Sequence, residues 1–460
     1  MTVPPAGSAI AERIGAWAAE LAAHPLPGEI ANTARRQLLD VAGLCVAARH
    51  TDYVGALLDA SDRAGPCTIL GHARTADAAD AALVNGTAAH GEDYDDTFEG
   101  TPVHTGAVVV PAVLAVCEAE GRTGAAALAG IAAGVELMCR MALVTPAAIH
   151  RAGFHPTAVI GTLGAALGAG TALGLDARTL ASALGIAGSL AGGIIEYLSE
   201  GTWTKRLHAG WAAHSGVRAA AMARAGFLGP RTVLEGRHGF FHAFTNGDIE
   251  PVLSHLTEEL GSRWLMRNLA FKPYACGTMA QPFIDCALAL RASGVEPRTI
   301  TSVQCDVGEG TVHRLWEPLA EKHRPASPYA AKFSVPFCIA IALTDGAAGL
   351  GQFTDERIRD ERVLALAGRI GYRVDPDDEY PANYTGHLRA RTADGAEREL
   401  RQPHLRGGRR EPLTDAELAA KFRDNAAFGG WSGQQTEDAQ AVLETLFERP
   451  DLAALARLRD

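Results

Sequence analysis

Long stretches of small and apolar residues at helical spacing constrain the fold of this chain more than any other feature. From about residue 9 to residue 271, Ala, Leu, Ile and Val recur every three or four positions and are interrupted by Pro and Gly. This spacing is typical of α-helices. Several of the predicted helices are apolar on all sides, which indicates that they lie inside a large helical bundle. The clearest of these predicted helices are 30–48, 77–90, 108–119, 124–144 and 209–225.

Two neighbouring apolar runs, 158–175 and 179–195, are nearly long enough to cross a bilayer. They consist mainly of Ala, Gly, Ser and Thr, and the short segment between them leaves no room for a connecting loop. We therefore interpret both runs as buried helices that pack closely through small side chains. This interpretation predicts a soluble protein that has no membrane partner.

The pattern changes after residue 271. Residues 299–307 alternate between apolar and polar side chains, and the runs 385–392 and 397–401 flank an Asp394-Gly395 turn. Two such runs around a short Gly-containing turn predict a β-hairpin. A further short strand is predicted at 372–375. Helices are predicted between these strands at 282–292, 335–343 and 355–367.

Helical spacing returns from Thr414 onward, with helices predicted at 415–422, 437–447 and 452–458. The sequence therefore predicts a mainly α protein with two domains, since 460 residues exceed the usual size of one domain. Residues 1–271 plus 410–460 form a large all-α helical domain in this prediction. Residues 272–409 form a smaller inserted α+β domain.

The charge balance argues against nucleic acid as a partner. The chain has 42 Lys and Arg against 53 Asp and Glu, a net charge of −11, whereas phosphate backbones attract basic surfaces. A small anionic substrate is compatible with this balance, because a few cations can be concentrated in one site.

The cysteines and the N-terminus indicate the compartment. The eight cysteines are dispersed, form no CxxC pair and lie mostly in apolar stretches. This pattern is typical of buried thiols in a reducing compartment. The first 16 residues carry Glu12 and Arg13 and contain no apolar signal core. We therefore expect a cytoplasmic protein.

A first cluster of ionisable residues begins at the end of the predicted helix 77–90. If that helix continues, His90, Asp93 and Thr97 share one face, because they are three and four residues apart. Asp93 would then orient an imidazole and His104 would move a proton, as in general acid–base catalysis. The alternative is a polar helix end that the carboxylates and the threonine cap.

Two further clusters adjoin the apolar helices. His155 lies between a phenylalanine and a proline directly before a predicted helix, whose N-terminus favours negative charge. Lys205, Arg206 and His208 place three potentially cationic groups within four residues and suggest a clamp for substrate carboxylates. The alternatives are a packed core histidine and an exposed basic turn. Lys272 lies at the predicted domain junction, where ligands often bind, although a surface lysine would look the same.

Two other functional classes have to be weighed. Asp95, Asp96 and Glu99 match the DDxxE form by which all-α prenyl-diphosphate enzymes hold Mg²⁺, but no second such motif is present and aromatic residues make up only 6% of the chain. A non-catalytic helical scaffold does not explain why His and Lys gather beside the most apolar helices. Zinc motifs, a phosphate loop, a Rossmann fingerprint and a serine nucleophile elbow are absent from the sequence.

These clusters together resemble the MmgE/PrpD family. The resemblance extends over nearly the whole chain and in the same order, through HGEDYDDT…VHTGAVVVPA, GFHPTAVIGTLGAA, TKRLHAGWAAHSG, RAGFLGPRTVLEGRHGFF and FKPYACGTMAQPFIDCAL. It implies a large helical domain, a smaller lid domain, a homodimer and no cofactor. The family includes 2-methylcitrate dehydratases, cis-aconitate decarboxylase and iminodisuccinate epimerase.

The resemblance also implies the site and the reaction. Many relatives have a histidine directly before the proline of the lid-domain motif, where this chain has Gln281. We expect a metal- and cofactor-independent lyase for a small polycarboxylate, in the first place a dehydratase of the 2-methylcitrate type, with decarboxylation or epimerisation as alternatives. The predicted catalytic residues are His104, His155, Asp93 and Lys205. The predicted substrate-binding residues are Thr97, Lys272 and Arg206.

Overall fold

The computed structural model describes residues 7–21, 23–101 and 103–460. Two predictions concern residues 1–6 in part, and these residues lie outside the described ones. They are the prediction that the N-terminus has no signal segment and the predicted start of the helical domain. More than half of the chain is helical, so the prediction of a mainly α protein is confirmed.

The helices and strands are numbered in chain order. The α-helices in the described residues are α1 Ile10–Leu21, α2 Gly28–Ala48, α3 Asp52–Ala60, α4 Ala78–Gly91, α5 Gly106–Ala119, α6 Gly124–Val144, α7 Ala148–Arg151, α8 Pro156–Ala172, α9 Ala177–Leu190, α10 Tyr197–Glu200, α11 Thr204–Arg224, α12 Phe240–Phe244, α13 Gln281–Ala292, α14 Glu309–Leu315, α15 Leu319–His323, α16 Pro328–Ala331, α17 Val335–Asp345, α18 Glu361–Ala367, α19 Asp415–Phe428 and α20 Gly433–Glu444. The strands are β1 Cys67–Thr68, β2 Thr75–Ala76, β3 Thr97–Phe98, β4 Leu269–Ala270, β5 Ile300–Val307, β6 Ile370–Val374, β7 Gly386–Thr392 and β8 Glu397–Gln402.

The chain divides into two compact units. The first contains the described residues up to 91, together with Asp95–Leu269 and Asp415–Asp460. The second contains Glu92–Tyr94 and Ala270–Thr414. The prediction that the second unit is an inserted domain with the role of a lid stays a prediction.

Small residues let the central helices of the first unit approach closely. A Cβ atom on Gly134 of α6 would lie 2.6 Å from the carbonyl oxygen of Gly164 in α8, and one on Gly86 of α4 would lie 2.8 Å from the Cα atom of Gly210 in α11. Both distances are too short for a side chain, so the backbones themselves are in contact. The interpretation of α8 as a buried helix packed through small residues is confirmed. The close approach of α4 and α11 brings the end of the first towards the start of the second.

Helix α6 of the first unit is both long and apolar. Gly124–Val144 is long and apolar enough to cross a membrane, but 89% of its apolar window is buried within the protein. It also carries Glu136 and Arg140, which pair at 2.7 Å in the interior. These features are typical of the core helix of a soluble protein. The bent pair Val335–Asp345 and Leu350–Arg359 meets the same length criterion only if both pieces count as one span.

The second unit contains a four-stranded sheet in the order β6-β5-β7-β8. β5 pairs with β6 in parallel and with β7 antiparallel, and β7 and β8 form the predicted hairpin, with Gly395 at φ +84° in its turn. The predicted helix 355–367 is wrong as a single helix. Asp360 interrupts it, because its carboxylate accepts a hydrogen bond from the N–H of Arg362 and starts α18.

All eight cysteines are buried and unpaired. This agrees with their prediction as small interior side chains.

Candidate active site

The chain between α4 and α5 carries three of the seven predicted site residues, Asp93, Thr97 and His104, and its described residues are not helical. α4 ends at Gly91, and Asp93 has a φ of +55°, a left-handed conformation that interrupts a helix. Thr97 lies in the short strand β3. The prediction that His90, Asp93 and Thr97 share one helical face is therefore wrong, because the helix does not continue past Gly91.

Asp95 lies between two imidazoles in the first unit. Its Oδ2 atom is 2.8 Å from Nδ1 of His90, and its Oδ1 atom is 3.4 Å from Nδ1 of His104. Burial by itself raises the pKa of the Asp95 carboxyl, but the attraction and hydrogen bonds of His104 and His90 outweigh it and hold that pKa well below its ordinary value. Asp95 thus contacts His104, the imidazole that the sequence predicted Asp93 to orient.

The partners of His90 and His104 fix which ring nitrogen carries the proton. Nδ1 of His104 lies 2.9 Å from the carbonyl oxygen of Asp96, which can only accept a hydrogen bond. Nδ1 therefore donates, so that in the neutral ring the lone pair of His104 is on Nε2. Nδ1 of His90 donates in the same way to the Asp95 carboxylate, and Nε2 of His90 has no partner among the described residues. Burial is the main cause that lowers the pKa of His90 to about 4, so this ring is neutral near pH 7.

Asp96 anchors the segment that carries His104. Its carboxylate accepts hydrogen bonds from the Thr105 hydroxyl at 2.8 Å, the Gly106 N–H at 2.9 Å and the Gln37 amide at 3.2 Å. Burial, followed by the charge of Asp95, raises the pKa of Asp96 to about 6. Asp96 thus ties the start of α5 to α2, and its backbone carbonyl orients His104.

His155 and His208 form the other half of the site. His155 precedes Pro156 at the start of α8, and His208 lies in the first half of α11. Their Nδ1 atoms are 3.1 Å apart. Burial is the main cause that holds the pKa of His155 well below its ordinary value and lowers the pKa of His208 to about 4. Repulsion from Lys205 and His90 adds to both shifts, so these rings are also neutral near pH 7.

The four rings are contiguous. The ring centroids of His90 and His104 are 4.8 Å apart, those of His90 and His155 are 5.8 Å apart, and those of His155 and His208 are 5.3 Å apart. Tyr197 contacts His155 and His208 edge to face. We refer to His90, His104, His155 and His208 as the histidine cluster.

Lys205 and Thr97 adjoin this cluster in different ways. Lys205 lies in the first turn of α11, three residues before His208, and is only 6% exposed. Its charge acts on the rings, because it contributes to the lowered pKa values of His90, His155 and His208 after burial. Thr97 is buried, and its Oγ1 atom has no hydrogen-bond partner among the described residues. Both positions are compatible with the roles that the sequence predicts.

Arg206 has a different environment. Its guanidinium carbon lies 4.6 Å from the centre of the Tyr53 ring, a cation–π arrangement. Successive side chains leave a helix about 100° apart, so Arg206 points away from the direction that Lys205 and His208 share. Its predicted binding of a substrate carboxylate stays a prediction.

The remaining predicted residues, Asp93 and Lys272, belong to the second unit and pair with each other. Nζ of Lys272 lies 2.7 Å from the carbonyl oxygen and 3.3 Å from Oδ1 of Asp93, and both side chains are buried. Lys332 contacts Glu92 in the same way, with its Nζ atom 2.7 Å from the carbonyl oxygen of Glu92. The two lysines therefore hold residues 92–94 within the second unit.

Gln281 is buried at the start of α13 in the second unit. Its Nε2 atom donates to the carbonyl oxygens of Tyr274 and Cys276, at 3.4 and 3.3 Å. Its Oε1 atom is buried and has no partner among the described residues. The amide thus binds backbone that precedes its own helix.

One group of side chains in the described part of the chain has the spacing of a metal site. The candidate ligand atoms of His90, Asp95 and His104 all lie within 4.8 Å of one another. Their hydrogen bonds already account for this spacing, because each Nδ1 atom carries a proton towards an oxygen acceptor. Asp96 and Glu99 of the DDxxE pattern are not in the group, so the geometry gives no support to a diphosphate-bound Mg²⁺. The expectation of a metal-independent enzyme stays a prediction.

Several residues of the site were not singled out from the sequence. Asp95 and Asp96 were noted only for their DDxxE spacing, and His208 only as one of three cationic groups in a predicted carboxylate clamp. The spacing of Lys205 and His208 places them on one helical face and is a signal that the sequence contains. The contact between His155 and His208 joins residues 53 positions apart and has no local signal.

Comparisons with known proteins agree with the order of the motifs. The model of the MmgE/PrpD N-terminal domain matches residues 12–251, and that of the MmgE/PrpD C-terminal domain matches residues 274–448. The chain is 30% identical to human cis-aconitate decarboxylase over 389 residues, which cover 82% of this chain and 78% of the relative. It is 27% identical to cis-aconitate decarboxylase of Aspergillus terreus over 91% of this chain and 89% of the relative. A cis-aconitate decarboxylase-like protein of Aspergillus oryzae is 25% identical over 98% of both chains.

Proposed function

This chain belongs to the MmgE/PrpD family, and on that premise we propose that it is a lyase for a small polycarboxylate. We further propose that the reaction is a decarboxylation of the cis-aconitate type. The relatives at 25–30% identity are cis-aconitate decarboxylases or a protein named for its likeness to them, which supports this reaction over the dehydration expected first from the sequence.

The observation that carries the proposal is the histidine cluster beside Lys205. Three of its rings, His90, His155 and His208, are kept neutral near pH 7 by burial. A neutral imidazole exchanges protons readily in this pH range when a charged substrate arrives, since nearby anions raise its pKa. Lys205 supplies a buried positive charge for a substrate carboxylate. Such an arrangement suits a reaction that needs both a carboxylate ligand and a proton donor.

The proposed step balances with the residues of the first unit. Lys205 holds one carboxylate while the bond from carbon to another carboxylate breaks and CO₂ leaves. The electron pair stays on the substrate carbon, where Lys205 and the Thr97 hydroxyl stabilise the developing charge. The His155–His208 pair takes up one proton when the anionic substrate binds, and His155 gives a proton to this carbon, so that the new C–H bond forms and both rings end neutral. No proton leaves the substrate in this net reaction, so His104, through the lone pair of Nε2, acts as the group that takes up from solvent the proton that the reaction consumes and supplies it to the histidine cluster.

The remaining expectations stay predictions. The predicted roles of Lys272 as a ligand and of Asp93 as an orienting residue rest on the resemblance, as does the role of the second unit as a lid. The predicted role of Arg206 as a ligand rests on the cluster of cationic residues in the sequence. The predicted homodimer is supported by several large apolar side chains of the first unit that are about half exposed, because such surface often marks an interface. These side chains are Ile194, Leu198, Trp203 and Trp211. A cytoplasmic location is likewise proposed from the sequence alone.

One experiment separates the three reactions of the family. The enzyme is incubated in D₂O with cis-aconitate, citrate, 2-methylcitrate, malate and aspartate-derived acids, and proton NMR follows each one. We expect cis-aconitate to lose CO₂ and to gain one solvent deuteron. A new alkene without loss of carbon would show dehydration instead, and deuterium exchange without loss of any group would show epimerisation. If no acid reacts, the proposed function is wrong.

A further inference from the structure

His208 has a position that its role in a substrate clamp does not explain. It lies on the same face of α11 as Lys205, but its Nδ1 atom points at Nδ1 of His155, 3.1 Å away. The two residues are 7% and 6% exposed, so water has little access to the contact. A buried nitrogen–nitrogen contact of this length is a hydrogen bond and requires a proton between the two atoms.

A hydrogen bond between two Nδ1 atoms links the protonation of the two rings. One Nδ1 atom must carry the proton and the other must accept it. If both rings are neutral, His155 and His208 are therefore opposite tautomers. When the shared proton moves from one Nδ1 atom to the other, the accepting ring carries protons on both of its nitrogens. The proton on its Nε2 atom can then leave. The state of the outer nitrogen of His155 is thus set by His208.

The surroundings favour His208 as the ring that holds an extra proton. His155 is repelled by His90, His208, Lys205 and His104, whereas His208 is repelled by His90 and Lys205. Burial lowers the pKa of both rings, so the difference between them comes from the larger number of charged and ionisable neighbours around His155. Tyr197 packs against both rings and brings no further carboxylate to the pair. A proton that enters the pair therefore resides on His208.

We propose that His208 is a proton-relay residue that acts through His155, an inference that rests on the proposed decarboxylation. Substrate carboxylates favour a proton on His208, which then holds protons on both Nδ1 and Nε2. As CO₂ leaves, the Nε2–H bond of His155 breaks and the new C–H bond forms on the substrate carbon. The Nδ1–H bond of His208 breaks at the same time, and an Nδ1–H bond forms on His155. Both rings end neutral, and the substrate carbon has received one proton.

The backbone beside the pair keeps it in place. Gly193 has a φ of +130°, and its carbonyl oxygen accepts a hydrogen bond from the N–H of His155 at 2.9 Å. A Cβ atom at this position would lie 2.6 Å from Cβ of Ala158 and 3.3 Å from the ring of His208. Only glycine allows the chain to contact both histidines at once. Gly193 is therefore a positioning residue for the pair.

The test compares His208→Gln with His208→Phe in the full-length enzyme. A glutamine amide can still hydrogen-bond Nδ1 of His155, but it cannot pass a proton. We expect both variants to lower kcat on the order of 10²-fold or more with little change in KM, because proton transfer is lost while carboxylate binding stays. His214→Gln is the matched control, since it lies on the same helix outside the cluster and stacks on Trp211. It should keep the wild-type kcat.

Two further readouts separate a relay from a purely structural role. The dependence of kcat on the fraction of D₂O should be curved in the wild type, because two protons move in one step, and linear in His208→Gln. In resting enzyme labelled with ¹⁵N-histidine, His155 and His208 should be opposite tautomers with one shared Nδ1–H. The relay would be overturned if both rings were Nε2–H tautomers. It would also be overturned if His208→Gln had the wild-type kcat and the same D₂O dependence. In either case the proposed function would still stand. Absence of turnover in the wild type would overturn both.

Discussion

Oδ2 of Asp95 lies 2.8 Å from Nδ1 of His90, and neither side chain is exposed to solvent. The carboxylate fixes the ring in the Nδ1–H tautomer and also lies beside His104. We propose from these contacts that Asp95 orients the imidazoles, whereas the role predicted for Asp93 from the sequence stays a prediction.

Asp95→Asn tests this assignment. An amide can donate to Nδ1 of His90 and so reverse the tautomer, and it removes the negative charge between the two rings. We expect kcat to fall by about 10³-fold or more with little change in fold, as for the loss of an orienting carboxylate elsewhere. The control is Glu99→Gln, four residues further along the same loop, which should keep its activity. Equal loss in both variants would instead favour the DDxxE interpretation.

The buried imidazoles predict how stability depends on pH. The pKa of His90 is lowered from 6.5 to about 4 in the folded protein. Between these values the unfolded chain binds a proton that the folded protein does not, so the free energy of unfolding falls as the pH falls through this window. The expected contribution of His90 is on the order of 3 kcal/mol.

His90→Gln isolates that contribution. Asp96 and Asp285, whose pKa values are raised to about 6, act in the opposite sense because the folded protein holds their protons more tightly. The comparison is therefore between wild type and variant, with urea unfolding measured at pH 7 and pH 5. We expect the variant to lose less stability on acidification than the wild type. An equal or larger loss would mean that His90 is not held neutral.

The sequence predicted those parts of the fold that depend on local spacing. The helix Gly124–Val144 and the hairpin around Gly395 follow from patterns within a few residues, and both are confirmed. The prediction that α4 continues past Gly91 was wrong. The spacing of His90, Asp93 and Thr97 in the sequence is the same whether or not the helix ends at Gly91. A positive φ at an Asp leaves no clear mark in the sequence.

Less of the candidate site than of the fold could be predicted from the sequence. His104, His155 and Lys205 stand out beside apolar helices, and the structure places all three in the first unit. The identity of their partners depends on tertiary contacts. Asp95 reaches His90 because the chain turns after α4, and His208 reaches His155 because α8 and α11 pack together.

The pair of Lys272 and Asp93 predicts an effect on stability that is separate from catalysis. Both side chains are buried, with 3.3 Å between Nζ and Oδ1. Lys272→Met leaves Asp93 without this charge partner and should cost about 3–5 kcal/mol of unfolding free energy. The double variant with Asp93→Asn should cost less than the sum of the two single changes. Removal of the exposed pair of Arg359 and Asp355 in the same unit is the control and should cost about 0–1 kcal/mol. Additive effects at the buried pair would show that the two residues do not interact.

Chelation tests whether a metal takes part. If imidazoles and Lys205 perform the chemistry, exhaustive dialysis against a chelator should leave turnover unchanged, and no stoichiometric divalent ion should copurify. The donor atoms of His90, Asp95 and His104 are close enough to make this a real alternative. Activity that disappears on chelation and returns with one divalent ion would contradict the assignment of these residues as hydrogen-bonded acid–base groups.

The proposed decarboxylation by the histidine cluster is tested most directly by the rate of CO₂ release from cis-aconitate. This rate is measured for the wild type, His104→Ala and His214→Ala. His104 is only 7% exposed, so circular dichroism and urea unfolding of His104→Ala check that this variant is folded. We expect the wild type and His214→Ala to release CO₂ at equal rates, and His104→Ala to be slower on the order of 10²–10⁴-fold, the usual effect of losing an acid–base group. No CO₂ from the wild type, or an undiminished rate in His104→Ala, would contradict the account.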